Sequence, residues 1–110
     1  MFYYKVYGLI FKSNISMPQL LTAPTPCNAD AEIIVGKVPD YVIARATKIP
    51  GEDTADAIWF HNSTGYFYAT SSQIIAQPKE NKPEEALIPF IQGYGFALFF
   101  RKRGIHAIHC

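Results

Sequence analysis

The side chains best suited to chemistry lie near the C-terminal end of the sequence: His106, His109 and Cys110. With His61 and Cys27 they offer the imidazole and thiol groups that a transition-metal site or a Cys–His nucleophile requires. Their spacing works against both. On a short strand, His106 and His109 project to opposite faces and do not converge on one ion. At a native C-terminus, a carboxylate beside the Cys110 thiol disfavours the reactive thiolate. A small metal-dependent or thiol enzyme built on His61, His106, His109 and Cys110 is therefore the weaker reading, and no catalytic or metal-ligating residue is assigned.

Other candidates fall short in similar ways. Glu52, Asp53 and Asp56 share a polar stretch, residues 48–56, that contains Pro50-Gly51 and reads as a solvated loop. Glu84 and Glu85 stand where a helix begins, which favours carboxylates for electrostatic reasons alone. Gly93-Tyr94-Gly95 is a GxG inside a helical pattern. It follows no strand and opens no helix, so it is not a dinucleotide fingerprint, and GxxxxGK[ST] occurs nowhere. Arg101-Lys102-Arg103 reads as a set of cations at a helix C-terminus. Its functional alternative is a phosphate contact beside a neighbouring site.

The remaining resource is aromatic. The chain has 7 Tyr, 8 Phe and 1 Trp among 110 residues. Most must form the core. Trp59, Phe60, Tyr66 and Tyr68 lie on two strands joined by a turn, and some are expected to face a peptide or protein partner. Phe96, Phe99 and Phe100 widen the apolar face of the last helix and are expected to meet a second domain or subunit.

Composition limits the classes. Hydrophobic residues make up 49% of the chain, so a packed core is expected rather than disorder. A net charge of +1 argues against a nucleic-acid partner, which normally demands a basic stripe. The apolar run is too short to cross a bilayer, so no membrane partner is expected. Two distant cysteines form no disulfide framework, and the N-terminus lacks the basic and apolar regions of a secretory signal. A reducing, cytoplasmic setting follows.

These residues must be held by elements that the pattern sketches. Residues 2–12 alternate loosely and are rich in Tyr, Val, Ile and Phe, as a strand requires. Residues 30–38 form a second strand and 41–47 a third. Residues 57–61 lead through a turn at 62–65 into a hairpin, 66–70 and 73–77. A long helix runs from Pro83 to Phe100, with a kink or a true start near Ile88 because of Pro89. Leu87, Phe90, Ile91, Tyr94 and Leu98 share one face, and Gly93 and Gly95 allow close approach to a neighbour. Gly104 stops the helix, and residues 105–110 form a short final strand. The predicted fold is α+β: one domain over residues 1–110, with a mainly antiparallel sheet of five or six strands and one long C-terminal apolar helix.

Four motifs in order resemble a known family. They are Gly8-Leu9-Ile10 followed by residues 13–20 (SNISMPQL), then residues 29–39 (ADAEIIVGKVP), then Gly65-Tyr66-Phe67-Tyr68 through Ile74-Ile75-Ala76-Gln77-Pro78, and finally the helix ending in Arg103-Gly104 with residues 105–109. Together they resemble the N-terminal region of HPr kinase/phosphorylase-like serine kinases, including relatives from peptide-biosynthesis clusters. The resemblance implies a non-catalytic substrate-recognition or assembly domain. Its partner would be a downstream kinase domain or a second copy, with a peptide or protein as substrate. It implies ATP and Mg for the complete kinase and none for this chain, because the P-loop would begin just beyond Cys110. It also implies that His109 lies near transferring phosphate in the complete protein. The alternative is a stand-alone peptide-binding or assembly module without a kinase partner.

Overall fold

The computed structural model describes residues 1–23 and 28–104. Cys27, His106, His109, Cys110 and the expected final strand lie outside the described residues. The architecture is α+β, built on one seven-stranded sheet in the order β1-β2-β3-β7-β6-β5-β4. The strands are β1 (Phe2–Val6), β2 (Leu9–Ser13), β3 (Ala31–Val35), β4 (Gly51–Asp53), β5 (Ile58–His61), β6 (Gly65–Ala69) and β7 (Gln73–Pro78). Helix α1 is Asp40–Ala46, and a composite helix, α2, occupies residues 84–103.

The sheet is mixed, which corrects the expectation of a mainly antiparallel one. β3 runs parallel to both β2 and β7, while the remaining neighbours are antiparallel. Ala31-Glu32-Ile33-Ile34-Val35 is nearly continuous in apolar residues, as suits a central parallel strand, with Ala31 and Ile33 buried under α2 and Glu32 and Ile34 half-buried on the opposite face.

Two further expectations change for local reasons. The first long strand is a hairpin: Tyr7 and Gly8 both have positive φ, 49° and 80°, as a two-residue primed turn requires. Tyrosine is an unusual occupant of that position. Its ring packs edge-on against Phe100 at 5.3 Å, which ties the turn to α2. The segment expected as a third strand is instead α1. Pro39 supplies an extended N-cap, Asp40 sits in the first turn and Arg45 in the last. Those helix signals outweigh the β-branched pair Val42-Ile43.

α2 begins with a 3₁₀ turn at Glu84–Leu87, and α-helical bonding starts at Ile88 with Pro89 in its first turn. A π-turn follows at Ile91–Gly95, where the Phe96 N–H donates to the Ile91 carbonyl. A regular segment, Phe96–Arg103, then ends at Gly104, whose left-handed conformation caps the helix. Gly95 approaches Ile74 closely, as expected, whereas Gly93 faces open space.

One face of the sheet packs under α2. Phe11 is the centre of that layer, meeting Phe96 and Phe99 at 5.1 Å each and Phe100 at 6.3 Å. The opposite face carries a smaller cluster under α1, where Val38, Val42 and Trp59 are buried.

A candidate strand-binding groove at the sheet edge

The two edges of the sheet are finished differently. Along β1, the chain's own residues 21–23 lie as a further extended segment. The Lys5 N–H donates to the Leu21 carbonyl, and the Ala23 N–H donates to the Tyr3 carbonyl, both at 2.9 Å. That edge is covered. β4, at the other end, has β5 on one side and no strand on the other among the described residues.

The direction of the free groups on β4 follows from its pairing. His61 N–H donates to the Pro50 carbonyl and Thr54 N–H donates to the Ala57 carbonyl. Gly51 faces Phe60 and Asp53 faces Ile58 at the intervening positions of an antiparallel ladder. In such a ladder hydrogen-bonded and non-hydrogen-bonded pairs alternate, so the N–H and C=O groups of Gly51 and Asp53 point outward. An uncovered row of this kind is a template for a further strand.

Beside the edge lies a groove of about 660 Å³, on the α2 side of the sheet. Its walls include Ile58 and Phe60 from β5 and Phe90, Tyr94 and Leu98 from α2. The aromatic rings support one another. Phe60 stacks on Phe67 at 4.8 Å, and Tyr94 meets the Phe60 ring at 5.6 Å. Tyr94 is 58% exposed, large for an aromatic side chain resting on a core. The π-turn carries Tyr94 at this position, and such turns are frequent at functional sites. Gly51 helps form the groove by absence: a Cβ there would stand 2.6 Å from the Trp59 carbonyl oxygen, so β4 can approach β5 this closely only without a side chain.

Two of the three acidic residues expected in a solvated loop, Glu52 and Asp53, are structural partners here. Glu52 accepts from Arg45 at 2.6 Å and from the Trp59 indole N–H at 3.3 Å, which joins β4 to α1. Asp53 points to the other face, where Arg101 donates to it at 3.0 Å and Lys102 bridges its second oxygen. The Lys102 ammonium, and then the Arg101 guanidinium, hold the Asp53 carboxyl below its ordinary range. Arg103 turns elsewhere and donates to the carbonyls of Asp30 and Ser71.

The seven aromatic residues expected at an interaction surface divide. Phe96, Phe99 and Phe100 are buried within this chain, against Phe11 and the sheet. The expectation that they await a second domain or subunit is corrected, since one face of a seven-stranded sheet is wide enough to cover them. Trp59 is also buried, with its indole turned toward α1. Tyr66 and Tyr68 are half-buried on that same side. Phe60 reaches the groove. Burial, and then the neighbouring Tyr68 hydroxyl, push the Tyr41 hydroxyl above its usual value.

His61 is fully engaged. Lys79 Nζ lies 3.0 Å from Nδ1, and Nε2 lies 3.2 Å from the Ile49 carbonyl. An ammonium can only donate, so Nδ1 accepts and Nε2–H donates to the carbonyl. Both ring nitrogens are used, and among the described residues no group of three or more potential ligands could hold a metal. No helix among them is long and apolar enough to cross a membrane.

The sequence pattern places Phe90 and Tyr94 on the packing face of a helix and Gly51 and Asp53 in a loop, so it does not mark them as lining a groove. The signals for them were Pro50-Gly51 and the two glycines flanking Tyr94, which mark a close strand approach and an irregular helix. Comparison of the chain with protein-family models, with curated proteins and with solved structures finds no match.

Proposed function

We propose that this is a non-catalytic recognition domain that binds an extended peptide segment as an eighth strand along β4. One observation carries the reading: outward-pointing backbone groups at Gly51 and Asp53 lie directly beside an apolar, aromatic-walled groove. The two features serve complementary purposes in strand addition. Main-chain bonds supply affinity, and alternate side chains entering a groove supply selectivity. The covered β1 edge makes the bare β4 edge more telling, because sheets normally protect both.

Within the motif resemblance, this is the N-terminal substrate-recognition or assembly domain of a cytoplasmic HPr kinase-like, ATP-dependent serine kinase. Among the motif segments behind that assignment, Gly8-Leu9-Ile10 falls in the β1–β2 hairpin, residues 29–39 contain β3, residues 65–78 contain the β6–β7 hairpin, and Arg103 is the last residue of α2. GxxxxGK[ST] does not occur in the sequence, and the resemblance would assign phosphoryl transfer, with its ATP and Mg, to a separate kinase core. The resemblance assigns His109 a place near the transferring phosphate of a complete kinase, and that residue lies outside the described residues. The resemblance extends the binding reading to a peptide or protein substrate.

The test is binding of capped, fluorescein-labelled peptides of alternating Thr and apolar residues to the 110-residue chain. The expected result is saturable binding in the micromolar range that N-methylation of alternate peptide nitrogens abolishes. Binding that survives N-methylation in either register would refute strand addition.

A further inference from the structure

We propose that the strand accepted by β4 carries a carboxylate opposite Asp53 and a large apolar side chain opposite Gly51. In antiparallel pairing this reads acidic–x–apolar along the partner. The inference rests on the groove being a strand-recognition site and adds what that site selects.

Side chains of directly paired residues share a face of a sheet. Asp53 reaches Arg101 and Lys102 of α2, whereas Glu52 reaches Arg45 of α1. Partner residues opposite Gly51 and Asp53 therefore turn toward α2, and the one opposite Glu52 turns toward α1. Opposite Gly51 the partner meets no β4 side chain and finds Phe60 and Tyr94. That is the roomiest apolar position along the edge.

Opposite Asp53 the surroundings are different. Arg101 and Lys102 bring two cations to one carboxylate, which leaves a positive excess at this end of the groove. Lys102 is the more enclosed, at 14% side-chain exposure, and also donates to the Thr54 carbonyl. Arg101 is 68% exposed and uses only Nε on Asp53. Among the described residues its two terminal nitrogens have no hydrogen-bond partner. A guanidinium presents a planar fork suited to a carboxylate, so a free edge of this kind favours an incoming Asp or Glu. An incoming Glu also faces the Asp53 carboxylate, whose charge Lys102 and Arg101 already offset, whereas an incoming Lys would bring a third cation to that single carboxylate.

Direction follows from the neighbourhood. β4, β5, β6 and β7 are each antiparallel to the next. An antiparallel partner passes Asp53 before Gly51, which sets the order of the motif.

The probes are three capped peptides: Thr-Val-Glu-Thr-Phe-Thr-Val, the same sequence with Lys for Glu, and its reversed order. At low ionic strength the Glu peptide is expected to bind the full chain about tenfold more tightly than the Lys peptide, since the ion pair is surface-exposed. Half-molar salt should compress that ratio toward one. R101Q should erase the preference, and R101E should invert it, with thermal midpoints recorded for both variants. Should R101E fail to fold, R101Q and the salt dependence of the wild-type chain decide the matter. Equal affinity for the Glu and Lys peptides, or tighter binding of the reversed peptide, overturns the inference while strand recognition stands. Failure of all three peptides to bind defeats the recognition reading itself.

Discussion

Arg101 Nε and Asp53 Oδ2 stand 3.0 Å apart, joining the last turn of α2 to the edge strand β4. With Lys102 on the other oxygen, this contact fixes the width of the groove at one end. Asp53 titrates below its ordinary value of 3.8, through Lys102 first and Arg101 second. A depressed carboxylate contributes stability above its unfolded pKa and loses it as pH falls through the folded value. The link is therefore expected to be intact at neutral pH and to fail only below about pH 4. D53N should remove that acid limb from the thermal midpoint measured against pH, and an unchanged limb would place its cause elsewhere.

Phe99 tests the corrected role of the aromatic helix face. It is fully buried against Phe11 of β2. F99A is expected to lower unfolding free energy by about 3–5 kcal/mol in urea titrations, as large core truncations do. A loss confined to self-association, with monomer stability intact, would restore the interface reading.

Gly51 is a position where space, rather than φ, forbids a side chain. Because an added Cβ would stand 2.6 Å from the Trp59 carbonyl, G51V is expected to cost about 1–3 kcal/mol by forcing β4 away from β5. Hydrogen exchange should then accelerate at Glu52, the residue that pairs inward with Trp59. Wild-type stability and exchange in G51V would mean that the strand tolerates the branch and the close approach is not required.

Much of the scaffold was legible in the sequence, and the exceptions have local causes. The β6–β7 hairpin, the helix stop at Gly104 and the altered helix start near Ile88 follow from turn residues, glycine and proline acting where they stand. Tyr7-Gly8 hid a hairpin because tyrosine rarely occupies positive φ, and packing on Phe100 holds it there. α1 was obscured by Val42-Ile43, a pair that favours strands until Pro39 and Asp40 start a helix. The parallel placement of β3 depends on a long-range choice that alternation does not encode. The groove was hidden for a related reason: Gly51, Asp53, Phe60 and Tyr94 are separated by up to forty-three positions and meet only when β4 closes the sheet edge.

Tyr94 should separate binding from stability. Its ring rests on Phe60 and Phe90 yet is mostly in solvent. Y94A is expected to leave the unfolding free energy within about 1 kcal/mol of wild type, as for surface substitutions, while weakening peptide binding roughly tenfold. Loss of stability in step with loss of binding would assign Tyr94 to the core instead.

The most direct measurement is amide hydrogen exchange at Gly51 and Asp53, read residue by residue with and without the Glu-containing peptide. Strand addition predicts fast exchange at both amides in the free chain and strong protection of both when the peptide is bound, with Glu52 changing little. Protection absent at Gly51 and Asp53, or appearing along β1 instead, would contradict it.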